Sequence, residues 1–292
     1  MRKTGKLSDK IFRGIMLFFT LITVVSVALI GVYMWKAGAP SIGKVGLKEF
    51  LLGKVWDTGT TPEQYGILPF ILSSLYAMVA TVVVTVPVSI VVALGLSFFL
   101  PKKIATLFRT IISMLAGIPS VIYGFIGMIL LVPVVQKIFN LAAGLTMMSA
   151  IVVLIIMTLP TIISVSESSL RAVPADYMEA ALALGVRKEY TLFHIVIPAA
   201  KSGILAAVLL GLGRAVGETM AVIMVAGNVP QIPSMLEPVR FLTTAIVTEM
   251  SYASEQTNGV LMGIGLVLFV FILVINGTFR ILIRKAGKQY EQ

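Results

Sequence analysis

Long uncharged apolar runs, separated by short segments in which Lys, Arg, Asp and Glu collect, dominate this chain. Six of them fall at roughly 14-35, 67-100, 110-135, 145-166, 202-228 and 258-279. A spanning helix needs about 20 apolar residues, and lipid tolerates only helices or closed barrels. These runs are far too long for barrel strands, so the pattern predicts an all-α integral membrane protein with six transmembrane helices. The second run is long enough to tilt steeply or to extend past the bilayer, with Pro69 and Pro87 placed to bend it.

Composition reinforces the class. Of 292 residues 58% are hydrophobic and 12% charged, against about 45–50% apolar and about 25% charged in soluble domains. Orientation follows from Lys and Arg. With the N-terminus inside, the inside segments hold sixteen of them, including Lys102, Lys103, Arg109, Arg171, Arg187, Lys188 and Lys201, whereas the outside loops hold six. Both termini are therefore expected in the cytoplasm, with segment 1-13 and tail 284-292 there, and the net charge of +10 reads as a topology signal that contacts lipid headgroups, not nucleic acid. Basic residues, an apolar run and the "AGA" at Ala37–Ala39 imitate a secretory signal, but the run exceeds the 7–15 residues or so of such a signal's apolar region.

The chain offers little soluble chemistry. It has no cysteine and one histidine, His194, which removes disulfides, thiolate catalysis and Cys/His metal sites. It contains no H-E-x-x-H, G-x-S-x-G or G-x-x-x-x-G-K-[ST] pattern, so any energy source is expected on another chain. The longest loops, 36-66 and 229-257, are expected outside. In the first, "GLKEFLLGKVW" is read either as a short interfacial amphipathic helix of Leu47, Phe50, Leu51 and Trp56 or as a plain linker with an aromatic anchor.

The inside loop 167-201 is more specific: "AVPADYMEAALALGVRKEYTLFHIVIPAAKSG". Pro174 suits a first helical turn, Asp176 and Glu179 favour the positive end of a helix, and Gly185 is placed to close it in the left-handed conformation. A second helix from near Arg187 is expected to run to Pro198 and lead into the fifth span, with Tyr177, Ala181 and Leu184 sharing one face of the first.

The spacing Glu179-Ala180-Ala181, three residues, Gly185, nine residues, Ile195-x-Ile197-Pro198 resembles the EAA loop of ABC importer permeases, E-A-A-x3-G-x9-I-x-L-P, with Ile197 in place of the usual Leu. The resemblance extends along most of the chain. "AGIPSVIYGF", "LPTIISVSESSLRAVPADYMEAALALG" and "GLGRAVGETMAVIMVAGN" look like the PstC-type permease of phosphate importers, more than the sister PstA type. It implies a type I (MetI-like) permease core over 67-283 in the cytoplasmic membrane, with a coupling loop at 171-198 that docks on an ATPase. Implied partners are a PstA-like second permease, a PstB-like ATPase dimer and a PstS-like phosphate-binding protein outside. Gly213-x-x-x-Gly217 and Gly259-x-x-x-Gly263 offer small-residue faces for helix contact.

Arg214 and Glu218 stand four residues apart in an otherwise uncharged run from Ser202 to Glu237. Arg214 lies about 20 Å along a helix from Lys201, near mid-membrane, where a charge costs at least about 2.5–3.5 kcal/mol unless compensated. The bland reading is an intrahelical ion pair. The sharper one is a phosphate path in which the guanidinium fork binds oxyanion oxygens and Glu218 accepts the hydrogen-phosphate proton. Sulfate, molybdate or carboxylate substrates also suit such an Arg, and a channel or secondary transporter with an Arg/Glu gate is the alternative class. A membrane enzyme is disfavoured, because one histidine and one intramembrane carboxylate do not assemble an acid and a base.

Overall fold

A computed structural model describes residues 4–288; Arg2, Lys3 and the last four residues of the expected tail lie outside that range. The chain begins with α1 (Thr4–Val45) and a short α2 (Leu47–Leu52), followed by a two-stranded antiparallel hairpin, β1 (Trp56–Asp57) with β2 (Gln64–Tyr65). Next come α3 (Leu68–Leu94), which ends in a π-turn Gly95–Phe99, and α4 (Lys102–Ala116). Helix α5 (Ser120–Ile126) continues through a second π-turn, Gly127–Leu131, into α6 (Val132–Ile138), and α7 spans Met147–Arg171. The loop helices α8 (Ala175–Ala183) and α9 (Lys188–Thr191) lead through a π-turn Leu192–Val196 into α10 (Ile197–Gly217). The chain closes with α11 (Met220–Val225), α12 (Leu242–Glu249) and α13 (Glu255–Lys288).

Among the described residues six helical runs are long and apolar enough to cross a membrane: Lys10–Val45, Leu68–Phe99, Ser120–Ile138, Met147–Arg171, Lys188–Gly217 and Glu255–Ile281. Several bounds differ from the sequence reading for local reasons. The first helix does not stop at 35 but runs through Pro40 to Val45, so the expected outside loop begins as helix. The third span lies at 120–138, not 110-135, because Gly117-Ile118-Pro119 separates α4 from α5. Pro119 supplies no N–H and disfavours helical geometry at the preceding residue. In the fifth, Pro198 does not end a helix: it occupies the first turn of α10, directly after the π-turn, and the helical run is continuous from Lys188.

The segment after α1 is not a plain linker: it forms the short helix α2 and then the hairpin. Leu47 and Leu52 are exposed, but Phe50 and Trp56 are buried. The Trp56 ring packs edge-on against Tyr65, with centroids 5.5 Å apart, and against Phe70 at 5.4 Å. Gly53 and Gly66 make this turn possible: a Cβ on Gly66 would lie 2.3 Å from the Gly53 carbonyl carbon. The Tyr65 hydroxyl bonds Glu63 and Thr257, and burial, followed by the Glu63 carboxylate, raises its pKa. It remains a donor at neutral pH and ties the hairpin to the start of α13.

Helix α3 packs along α7, and α7 in turn along α10. On α3 the contact is a stripe at four-residue spacing, Ser73, Ala77, Thr81, Thr85, Ser89 and Ala93, all buried. Between helices in lipid, association relies on close van der Waals packing, which small side chains permit. Ser73 returns its hydroxyl to the Pro69 carbonyl at 2.7 Å, and Thr85 bonds the Thr81 carbonyl in the same way, so these two hydroxyls are satisfied within their own helix, whereas those of Thr81 and Ser89 are buried without a partner.

The Gly259-x-x-x-Gly263 motif is used inside the chain. A Cβ on Gly38 of α1 would stand 2.7 Å from the Gly263 nitrogen, and one on Gly259 would stand 2.1 Å from Ser41 Oγ. Gly213 and Gly217, by contrast, face open space, whereas Gly203 and Gly211 on the other side of α10 are pressed against Ser169 and Ile162 of α7. Gly38→Val is therefore expected to destabilise the α1–α13 packing by about 1–3 kcal/mol. Gly43→Ala, whose added methyl meets nothing within 4 Å, should be neutral or slightly stabilising. Thermal unfolding of the detergent-purified protein, followed by tryptophan emission from Trp35 and Trp56, checks both; equal melting temperatures for the two variants would contradict the packing assignment.

Candidate functional site

At one end of the bundle the loop between α7 and α10 projects α8. Pro174 is the N-cap, Asp176 stands in the first turn, and the helix closes on Gly185 at φ +78°. The Val186 amide donates to the Ala181 carbonyl at 3.1 Å and the Gly185 amide to the Leu182 carbonyl at 2.9 Å. That pair of bonds is the Schellman closure, and its left-handed residue is the reason a glycine stands there.

Glu179, Ala180 and Gly185 are exposed, Ala181 is buried beneath α8, and Ile195, Ile197 and Pro198 are half-buried in the π-turn and first turn of α10. The expected common face of Tyr177, Ala181 and Leu184 is therefore divided. Ala181 packs inward, and Leu184, in the cap where the chain leaves the helix, is 84% exposed. Leu182, Tyr190 and Phe193 are exposed nearby, which makes this end an apolar surface standing clear of the bundle.

The second feature lies at mid-helix. Arg214 Nη1 donates to Thr161 Oγ1 of α7 at 3.2 Å. Thr161 is about 15 Å along α7 from Arg171, and Arg214 about 20 Å along α10 from Lys201, so both rulers place the contact near the membrane centre. Arg214 and Glu218 are not an intrahelical ion pair. Helix α10 ends at Gly217, and Glu218 is extended, with φ −71° and ψ 128°. Its Oε1 accepts from the Ala221 amide at 2.9 Å, capping α11, while its carbonyl accepts from Thr243 Oγ1 at 3.0 Å.

A second break faces this one. Helix α5 starts just after Pro119 and packs on α11 so closely that a Cβ on Gly124 would lie 2.7 Å from Ala221 Cα. The Tyr123 hydroxyl bridges its break by donating to the Leu115 carbonyl at 2.8 Å, and Tyr123 lies within electrostatic reach of Arg214. Two helix breaks thus meet beside one half-buried cation, and side chains take up backbone groups at each. Irregular backbone at membrane depth survives only where protein or a wet cavity satisfies it.

A third feature escaped the sequence reading. Glu167, in the last turn of α7 and only 7% exposed, accepts from Arg109 Nε of α4 at 2.6 Å, with Arg171 Nη1 at 3.5 Å. Arg109 Nη2 also donates to the Leu96 carbonyl, in the π-turn of α3, at 2.9 Å. The signal was present as a carboxylate at the end of an apolar run, but its partner lies 58 residues away in sequence. Among the described residues no cluster of three or more His, Cys, Asp or Glu side chains is placed to hold a metal.

These features define a transmembrane component of a transport system. The model of the family described as "Binding-protein-dependent transport system inner membrane component" matches residues 85–288, and the chain belongs to that family. Among its relatives, the phosphate transport system permease protein PstC of Pasteurella multocida is 33% identical over 257 residues, covering 80% of each chain. PstC of Haemophilus influenzae is 31% identical over 95% of this chain and 93% of its own. The probable ABC transporter permease protein YqgH of Bacillus subtilis is 32% identical over 94% of this chain and 92% of its own.

The fold is shared with solved ABC importer permeases. A chain of the bacterial alginate ABC transporter, crystallised with an alginate pentasaccharide-bound periplasmic protein, aligns with TM-score 0.66 and 17% identity over 96% of this chain and 98% of that one. A chain of the inward-facing MetNI methionine ABC transporter aligns with TM-score 0.58 and 19% identity over 76% of this chain and 94% of that one. The protein is thus a multi-pass cytoplasmic-membrane permease of the type I importer fold.

The left-handed closure of α8 generates a test. A side chain at Gly185 meets nothing within 4 Å, so substitution there acts through backbone strain alone. Gly185→Val should strain the cap by about 1–2 kcal/mol and lose co-purification of the ATPase while the permease still inserts. Gly185→Asn, which tolerates the left-handed region, should retain most of it. Normal ATPase recovery with Gly185→Val would remove α8 from the docking role.

Proposed function

We propose that the chain is one permease half of an ATP-driven importer that moves inorganic phosphate across the cytoplasmic membrane. The observation that carries the reading is Arg214: a guanidinium near mid-membrane, held by Thr161 of α7 yet with a half-exposed face, next to two helix breaks. A phosphate passing that face meets a planar fork suited to two of its oxygens. Glu218 lies on the adjoining extended segment, and beyond the bond to Ala221 its carboxylate retains capacity to accept the proton of hydrogen phosphate. Sulfate carries no such proton at neutral pH, so the pair favours phosphate. The names of the PstC relatives agree with that substrate.

The remaining parts follow from what the chain lacks in sequence and what it displays. Without a phosphate-binding glycine loop, ATP and magnesium belong to a separate ATPase pair of the PstB kind, docked on α8 at the cytoplasmic end; this chain itself catalyses no reaction. Both termini are then cytoplasmic. The open face of α10, with its exposed Leu210, Gly213 and Gly217, forms the seam with a related PstA-like permease, and a PstS-like binding protein delivers phosphate at the hairpin end.

Reconstitution with these partners is the test. Arg214→Gln should abolish ATP-dependent uptake of labelled phosphate with normal assembly, and Arg214→Lys should restore only part of it, because the fork is lost. Wild-type uptake by the double variant Arg214→Gln, Glu218→Gln would remove both residues from the path. For the seam, cysteines placed at Gly213 and Gly217 in this Cys-free chain should cross-link to the second permease; cross-links only between copies of this chain would overturn the heterodimer.

A further inference from the structure

We infer that Glu167 is a positioning residue for transport: with Arg109 it ties the α8 loop to the broken mid-membrane segment, so that movement of α8 reaches the substrate path. The inference rests on the importer reading above.

The last turn of α7, Glu167 to Arg171, leads directly into Ala172, Val173 and the N-cap of α8. A displacement of α8 therefore acts first on this turn. There the buried Glu167 carboxylate takes the Arg109 Nε hydrogen bond at 2.6 Å. The other branch of the same guanidinium donates to the Leu96 carbonyl at 2.9 Å. That carbonyl is available because the π-turn at the end of α3 departs from the regular helical ladder. One side chain so connects α3, α4 and α7. On the far flank of the same turn, Lys188 Nζ bonds the Phe98 carbonyl and its ammonium lies 4.8 Å from the Phe99 ring centroid. Lys188 opens α9, three residues beyond Gly185, so the π-turn is held by one cation from α4 and by another from the coupling loop.

Helix α4 needs this connection. Its buried side chains are Ala105 and Ile112, on the stripe that also carries Arg109, whereas Ile104, Leu107, Phe108, Ile111 and Met114 are exposed. Two small apolar contacts give little resistance to sliding along α7; a charge-assisted bond between a buried carboxylate and a two-pronged donor sets one register. From Arg109 the helix runs about two turns to Ala116, at the edge of the break that Tyr123 bridges beside Arg214. A step of α7 at its loop end is thereby passed along α4 to the interrupted segment.

The competing account is that Arg109 only neutralises Glu167. Replacing both charges by neutral groups separates the two, since a pair kept for neutralisation can be removed together at little cost, whereas removing one partner strands the other. The experiment uses the whole complex, with the second permease, ATPase and binding protein, in liposomes. Wild-type complex is assayed first for ATP-dependent uptake of labelled phosphate; failure there refutes the importer reading itself and is distinct from any result with the variants.

Given wild-type uptake, Glu167→Gln and the double variant Glu167→Gln, Arg109→Gln are compared for ATPase co-purification, uptake and ATP hydrolysis with and without phosphate-loaded binding protein. Expected is normal co-purification for the double variant, uptake lowered about tenfold or more, and hydrolysis that no longer responds to the loaded binding protein. Arg109→Lys, which keeps the charge but not the fork, should fall between wild type and the double variant. Uptake by the double variant within about twofold of wild type, or hydrolysis that still responds fully to the loaded binding protein, overturns the inference. So does failure of the double variant to assemble with the ATPase, which would make the pair a folding element.

Discussion

Hydrocarbon offers the backbone no hydrogen-bonding partner, and this constraint shapes every part of the chain. It forces the spans to be helical, and it makes each interruption a local problem that side chains must solve. At Gly117–Pro119 the Tyr123 hydroxyl takes a carbonyl from the end of α4, and at Glu218 a carboxylate oxygen and Thr243 take up an amide and a carbonyl. The π-turn that ends α3 is served by Arg109 and Lys188.

The same constraint divides the molecule by how rigidly it is held. The α3 stripe against α7 is buried throughout, and the glycine contacts of α1 with α13 leave no room for a methyl group in places, so these pairs are tightly packed. Helix α4, with Ala105 and Ile112 as its buried side chains, has thinner apolar contact and is held by the hydrogen bonds of Arg109.

The lengths of the apolar runs made six helices legible, and so did the class of protein, because crossing a bilayer is a property of a single segment. The caps of α8 were equally legible, since they depend on neighbours in sequence: Pro174 at the start, Gly185 at φ +78° at the close, and two bonds spanning five residues or fewer. Arg214 was conspicuous as a charge in an apolar run. What misled was the continuity of apolar character through 202-228, because hydrophobicity reports depth in the membrane and is indifferent to whether the backbone stays helical.

Only the tertiary structure decided which groups meet. Glu218 follows its own backbone out of the helix and caps α11 instead of pairing with Arg214, whose bond goes to Thr161 on a different helix. Gly259 and Gly263 receive α1, whereas Gly213 and Gly217 remain open, although the two motifs are identical as text. Trp56 is drawn into a core by Tyr65 and Phe70, and Glu167 finds Arg109 across 58 residues. The physical reason is common to all four: a sequence determines by itself what depends on one segment's length, caps and polarity, whereas contacts between segments depend on how helices rotate and slide against one another, which no single segment specifies.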